Sequence, residues 1–350
     1  MSILLKKMKN ELNAAIIGLG VGERHISAYE LDKRCKVTKL CDFNEEKLFQ
    51  IGKKYPKYKL TTNPNEVLDD PEVDIVSVAS YDNYHAEQVI KAVKSGKHVF
   101  VEKPLCLYYE ELVSIVEALS NNPKVKLSSN FVLRKSPQFI SVKQEIDSKK
   151  FGTLYYLEAD YNYGRLHKLT NGWRGEIPFY SVCHGGAIHM VDLIKWLSGK
   201  TIKKVMAIGN KITTKNTIFR YPDMVTSLLK FNDDLIAKVT ANFGSVCPHH
   251  HQLSVYGTKA TFIHNYQGGA YYKSRDSDVN EDKLNLQFQN LKKIEVQKSF
   301  ISSILDGTKP EVTSQEVLDV MAISLAIEKS LNSNNWESVK YIKPFKINNS

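Results

Sequence analysis

Lys103 stands in the run SGKHVFVEKPLCL, directly after the apolar stretch Val99-Phe100-Val101. That stretch reads as a buried strand bounded by Gly96 and Pro104. A lysine at the carboxyl end of such a strand faces the crevice where open α/β sheets bind ligands. There its amine can exchange a proton with a reacting hydroxyl, and burial beside a cation lowers its pKa toward working pH. The competing account is a lysine that snorkels from the strand end with Glu102 as its ion-pair partner. Spacing alone leaves the two even.

A second reactive centre lies in HGGAIHMVDLIKWLSG. Ile188, Val191, Ile194 and Leu197 form the apolar face of a helix. His189, Asp192 and Trp196 share another face, which places Asp192 to orient the His189 ring one turn away. On spacing alone, a histidine that is merely satisfied by Asp192 is the commoner outcome. A third cluster is SVCPHHHQLSVYG, where Cys247, His249 and His251 alternate and would face one way on a strand. Zinc would need a fourth ligand or a water, and the sequence specifies none. Histidines lining a substrate sheet are therefore expected here, with no metal.

These residues must be held by elements. AAIIGLG is a buried strand meeting a turn, KVTKLCD a second strand ending in Asp42, and VDIVSVAS a third. NEEKLFQIGKKY is a helix capped by Asn44. HAEQVIKAVKSG is a helix with Ala86, Val89, Ile90 and Val93 on one face, stopping at Gly96. KVKLSSNF is the last strand of the series, ending near Phe131. Strands alternating with helices predict a doubly wound parallel sheet, a Rossmann-type α/β domain over 1–131. From about residue 150 strands follow one another with short turns, which predicts an α+β domain with a large antiparallel sheet over 132–350. SQEVLDVMAISLAIEKSLNS closes it as a long helix with Ser314 as its cap.

Within this frame IIGLGVGERH follows the first strand and opens a helix. Gly18 allows the tight turn and Gly20 lets backbone N–H groups approach a pyrophosphate at the helix N-terminus. The third glycine is Gly22, and Glu23 holds the usual place, so the motif departs from G-x-G-x-x-G. Asp42 ends the second strand about 20 residues on, where an acid accepts bonds from a ribose diol. Together these predict dinucleotide binding. An acid there repels a 2′-phosphate and no arginine follows it, so NAD is expected over NADP.

Composition sets outer limits. The chain has 350 residues, 42% of them hydrophobic and 25% charged, enough for full cores and against disorder. The net charge of +10 is spread over scattered lysines. No basic helix or basic-aromatic module appears, so nucleic acid is not an expected partner. Five cysteines without a C-x-x-C pair point to reduced thiols in a cytoplasm. No stretch reaches the length that spans a bilayer.

Three motifs in one order, GLGVGERH, then YHAEQVIKAVKSGKHVFVEKP, then GGAIHMVDLIKWLSG, resemble the Gfo/Idh/MocA oxidoreductases. The resemblance spans most of the chain, and the EKP block with its preceding helix is the most specific part. It implies a Rossmann domain followed by an open antiparallel sheet whose face often makes a homodimer or homotetramer. It implies hydride transfer between a nicotinamide and a secondary alcohol or hemiacetal of a sugar or cyclitol. It assigns Lys103 to the reacting hydroxyl, with His189 beside it. Asn83, His85 and Glu102 join the cofactor set, and Asn130 and Arg134 lie near the substrate. Many members carry an aspartate four residues before the histidine. This chain has Gly185, and His184, Tyr180 and Asp192 stand as candidates for the missing polar group.

YNYGRLHKLTNGWRG adds Tyr163, Arg165, Trp173 and Arg174, which suit sugar and phosphate contacts, as they suit an interface. Three arginines, 134, 165 and 174, favour a nucleotide-linked or acidic sugar as substrate. The alternatives are an inositol or free-sugar dehydrogenase, and a cofactor-binding protein with little activity. A lyase or hydrolase that oxidises its substrate transiently with held NAD is a further one.

Overall fold

In Leu12–Ile17 (β1) only Asn13 is not fully buried, as a strand covered on both faces requires. The structure, a computed structural model, describes residues 11–276, 282–286 and 294–344. Cys35–Cys41 (β2), Lys59–Thr61 (β3), Ile75–Val78 (β4), His98–Val101 (β5) and Leu127–Ser129 (β6) extend β1 into a six-stranded sheet. Its order is β3-β2-β1-β4-β5-β6, and every pair is parallel. The order reverses between β1 and β4, so the carboxyl ends of these two strands form the switch point where such sheets bind ligands. The crossovers carry Glu23–Glu30 (α1), Glu45–Lys54 (α2), Asn65–Leu68 (α3), His85–Lys94 (α4) and Tyr109–Asn121 (α5). Asn44 caps α2 by accepting the Lys47 N–H at 2.9 Å. Gly96, at φ 74°, takes the left-handed conformation that closes the turn after α4.

The second sheet has nine strands: Leu154–Asn162 (β7), Ile202–Asn210 (β8), Met224–Phe231 (β9), Ile236–Asn242 (β10), His250–Gly257 (β11), Thr261–Asn265 (β12), Gly268–Tyr272 (β13), Asp282–Leu284 (β14) and Glu337–Ser338 (β15). Their order is β14-β13-β12-β11-β7-β10-β9-β8-β15. The sheet is mixed rather than wholly antiparallel, because β7 and β10 pair in parallel. The chain leaves β7 through a long excursion and returns along β8, β9 and β10, which brings β10 back in the direction of β7. That excursion holds His167–Thr170 (α7), Trp173–Glu176 (α8) and Ile188–Ser198 (α9), while Pro137–Asp147 (α6) precedes the sheet.

Two compact units divide the chain. The first takes the described residues of 1–130, 292–318 and 342–350, the second those of 131–291 and 319–341. One division falls between residues 130 and 131, and the described residues of 292–318 return to the first unit. Ile294–Leu305 (α10) packs in the first, with the Phe300 and Phe100 rings 5.8 Å apart. The final helix, Ser314–Ser333 (α11), crosses the boundary. Thr313, rather than Ser314, caps it: Thr313 Oγ1 accepts from Glu316 N while Glu316 Oε2 accepts from Thr313 N, a capping box. Ser314 Oγ instead bonds the backbone N–H and C=O of Leu127 at the edge strand β6. Among the described residues no helix is long and apolar enough to cross a membrane.

Candidate functional site

The nucleotide half is built at the carboxyl end of β1. Gly18 has φ 87°, and a Cβ there would stand 2.3 Å from the carbonyl oxygen of Ala79. A Cβ on Gly22 would meet Gly18 O at 2.1 Å. Glycine is thus required twice by the chain's own packing. At Gly20 a Cβ would meet only Lys47 Nζ, at 3.6 Å, an ordinary contact. Internal packing does not explain the third glycine, whereas close approach by a phosphate does.

Asp42 ties this turn to the end of β2. Its carboxylate accepts the Leu19 N–H at 2.8 Å and the Asn44 N–H at 3.0 Å, and Lys47 Nζ lies 3.2 Å away. Lys47 is a neighbour that the sequence reading missed; its signal was its place in the first turn of α2, just past the acid. Phe43 is 62% exposed and packs edge-on with Tyr81, centroids 5.3 Å apart, so the ends of β2 and β4 present an apolar platform suited to a base. Asn83 Oδ1, Ser129 Oγ and Asn130 Oδ1 are buried without a hydrogen-bond partner among the described residues. Buried polar atoms of this kind are seldom left unsatisfied, so they fit a polar ligand. Taken together the residues suit a dinucleotide.

The EKP segment sits at the carboxyl end of β5. Glu102 Oε1 accepts from Asn130 Nδ2 at 2.6 Å and lies 3.1 Å from His25 Nε2, whose Nδ1 is 2.8 Å from Ser77 Oγ. Burial pushes the Glu102 carboxyl up, but His25, Asn130 and the Lys103 charge outweigh it and hold it down at about 2. Glu102 is therefore an internal anion that fixes the strand end. Expected in the cofactor set, its carboxylate is committed within the chain. His85 is likewise committed: it is 1% exposed, with ring nitrogens 2.6 Å from Pro104 O and 3.1 Å from Ser80 O. It joins the loop after β4 to the loop after β5. Lys103 itself is partly exposed.

The second unit holds a separate cluster around Tyr161 on β7. The His189 ring, on α9, stacks on Tyr161 at 6.0 Å and 17° and meets Phe131 edge-on at 6.5 Å. His249 and His251 set their edges against the Tyr161 ring at 5.0 and 5.3 Å, and Tyr163 and Phe243 stack on it at 5.7 and 5.8 Å. His251 is pushed well below the usual histidine range, first by burial and then by the neighbouring histidines. His249 and His251 do face each other, rings 4.7 Å apart, but Cys247 turns to Ser245 and His250. Among the described residues no group of three or more His, Cys, Asp or Glu is placed to hold a metal.

Two of the expected site residues pair with each other here. Arg134 and Asp192 are each 1% exposed at the side chain and grip each other: Arg134 Nη2 donates to Oδ1 at 2.6 Å and Nε to Oδ2 at 3.0 Å. The Asp192 carboxylate is bound by Arg134, and the Arg134 guanidinium is buried in that pair. A buried charge needs a partner, and each supplies the other's. His184 is also taken, with Nδ1 2.7 Å from Ser324 Oγ. Arg165 lies over the Tyr163 ring at 5.4 Å, Arg174 over the Trp173 ring at 4.6 Å.

Comparison with known proteins follows the same division. A family described as "Oxidoreductase family, NAD-binding Rossmann fold" matches residues 12–131, and the "GFO/IDH/MocA C-terminal domain" matches 139–263. The chain is similar to the myo-inositol 2-dehydrogenase of Thermotoga maritima, 24% identical over 91% of this chain and 96% of that protein. It is also similar to the scyllo-inositol 2-dehydrogenase (NAD(+)) of Bacillus subtilis, 24% identical over 93% and 96%. In structure it resembles a levoglucosan dehydrogenase solved in complex with NADH, with a TM-score of 0.84 and 20% identity over 95% of this chain and 100% of that one.

Proposed function

The chain belongs to the Gfo/Idh/MocA oxidoreductase family and is an NAD-binding oxidoreductase acting on CH–OH groups, and from that premise we propose that it is a dehydrogenase of an inositol or a free sugar. The observation that carries this reading is the near full-length similarity to two inositol 2-dehydrogenases. It favours the cyclitol or free-sugar alternative over the nucleotide-linked sugar. The side chains agree. With Arg134 buried against Asp192, the expected set of three phosphate-reading arginines loses one member. What the second unit offers is ring faces and imidazoles, partners for a neutral polyol.

The residues divide the work as follows. Gly18, Gly20, Gly22 and Asp42 hold the dinucleotide, and Asn83 adds a polar contact. The bound nicotinamide supplies the hydride acceptor. Lys103 takes the proton of the reacting hydroxyl as the C–H bond breaks, and the Glu102 anion beside it keeps the strand end in register. His189 bonds the substrate hydroxyls, with the Tyr161 ring as its support. Tyr163, Trp173 and Arg174 belong to the same substrate face. Self-association as a homodimer or homotetramer fits the open face of the nine-stranded sheet, where Ile208, Leu228 and Ile236 are 63, 42 and 49% exposed. Five free cysteines, four of them buried, suit a cytoplasmic setting.

The test is a comparison of kcat/KM with NAD for myo-inositol, scyllo-inositol, free hexoses and nucleotide-linked hexoses. Efficient turnover of an inositol or free sugar is expected. A strong preference for the nucleotide-linked sugar, lost at high salt, would restore the phosphate-reading account.

A further inference from the structure

Lys47 puts a cation in the first turn of α2, where an acid is the usual residue. It is the third residue of that helix, after Glu45 and Glu46, and its backbone N–H is the one that Asn44 caps. A cation there opposes the helix dipole, so the position costs stability unless an anion lies close by. Side chains on a helix lean toward its N-terminus, which carries the Lys47 ammonium back toward the end of β2. There it lies 3.2 Å from Asp42 Oδ2. It is also the atom that a Cβ on Gly20 would meet, at 3.6 Å. One ammonium thus stands between the acid expected to read the ribose diol and the glycine left open for the pyrophosphate.

The acid is far less accessible than the lysine. Asp42 is 5% exposed and both its oxygens are in use: Oδ1 accepts the Asn44 N–H, and Oδ2 accepts the Leu19 N–H with Lys47 against the same oxygen. The Lys47 side chain is 35% exposed. Phe43 follows Asp42 and offers the exposed ring face for an adenine, so the adenosine ribose belongs at the Asp42–Lys47 pair. An unpaired carboxylate at that place rejects a 2′-phosphate by charge repulsion. Paired with an ammonium its charge is offset, and the ammonium stays partly open to an anion.

We propose that Lys47 is a specificity-determining residue of the dinucleotide site: by offsetting Asp42 and offering its own donors to a 2′-phosphate, it lets the site bind NADP(H) as well as NAD(H), with NAD(H) the tighter. The two cofactors meet the pair differently. The 2′-hydroxyl of NAD(H) bonds the Asp42 carboxylate, whereas the 2′-phosphate of NADP(H) draws the ammonium to itself. The proposal concerns the cofactor alone and stands apart from the substrate assigned above.

The experiment measures NADH and NADPH affinities of the full chain by fluorescence titration, without substrate, at low and high salt. Lys47→Met keeps an unbranched stem and removes the charge. Asp42 retains its two backbone donors in that variant, so a melting temperature close to the original is expected. NADPH is expected to bind about tenfold more weakly and NADH to change by about twofold or less, so the gap widens. Lys47→Arg keeps a cation and is expected to hold NADPH at least as well as the unmodified protein. Added to Asp42→Ala, Lys47→Met is expected to reopen the gap that Asp42→Ala narrows. The steeper salt dependence of NADPH binding should shrink with Lys47→Met. Equal losses for both cofactors in Lys47→Met would make Lys47 a general pyrophosphate contact and overturn the proposal. Unchanged affinities for both, no measurable NADPH binding by the unmodified protein, or loss of NADPH binding in Lys47→Arg would overturn it as well.

Discussion

Replacing Arg134 with methionine keeps an unbranched apolar stem and removes the charge. The Asp192 carboxylate, 1% exposed, then loses three contacts, Nε at 3.2 and 3.0 Å and Nη2 at 2.6 Å. Removing one member of a buried ion pair typically costs 3–5 kcal/mol, because the other charge is left in a low-dielectric interior. In a unit of this size each kcal/mol lowers the melting temperature by roughly 2–4 °C, so Arg134→Met is expected to lose about 10 °C. Arg134→Met with Asp192→Leu removes both charges and is expected to recover most of that loss. Thermal unfolding followed by circular dichroism reads both variants. If Arg134→Met melts within about 2 °C of the original protein while the KM of a phosphorylated substrate rises, the pair is not structural and the argument against a phosphate-reading Arg134 fails.

Two further outcomes follow from the first unit. Asp42→Ala is expected to narrow the preference for NADH over NADPH, since it removes the repelling carboxylate and frees Lys47, now 3.2 Å from it; fluorescence titration measures both affinities, and equal values in the unmodified protein would remove the argument. Glu102 is held at about 2 against an ordinary 4.5, so its ionised form contributes on the order of 3 kcal/mol of stability. The folded-state value is the lower one, so this contribution is present above about pH 4.5 and is lost as the pH falls toward 2. Glu102→Gln should flatten the pH dependence of stability in that acid window, as chemical denaturation at stepped pH would show.

The sheet of the first unit was legible because its strands are covered on both faces and appear as unbroken apolar runs: Ala14–Ile17, Ile75–Val78 and Val99–Val101. The glycine turn and Asp42 were legible because spacing along the chain sets their distance in space. The parallel pairing of β7 with β10 was not, since strand direction depends on the path between strands and not on their composition. The partners of Asp192 and Glu102 were hidden for a related reason. Each sits close in sequence to a plausible local partner, His189 or Lys103, and each also bonds a residue far along the chain, Arg134 at 58 positions and Asn130 at 28. Ser314 shows the same on a smaller scale: it has the side chain of a cap, but it bonds the edge of β6 and leaves the cap to Thr313. Gly185 was recognisable as a departure in the sequence, while the Tyr180 phenol that fills its place became visible only in three dimensions.

The account turns on Lys103 as the group that takes the hydroxyl proton, and the direct measurement is turnover of the preferred polyol by Lys103→Ala alongside its NADH affinity. Turnover is expected to fall about 10²-fold or more, with NADH affinity and melting temperature close to those of the unmodified protein. Near-normal turnover in a natively folded Lys103→Ala would make Lys103 a structural residue and contradict the mechanism.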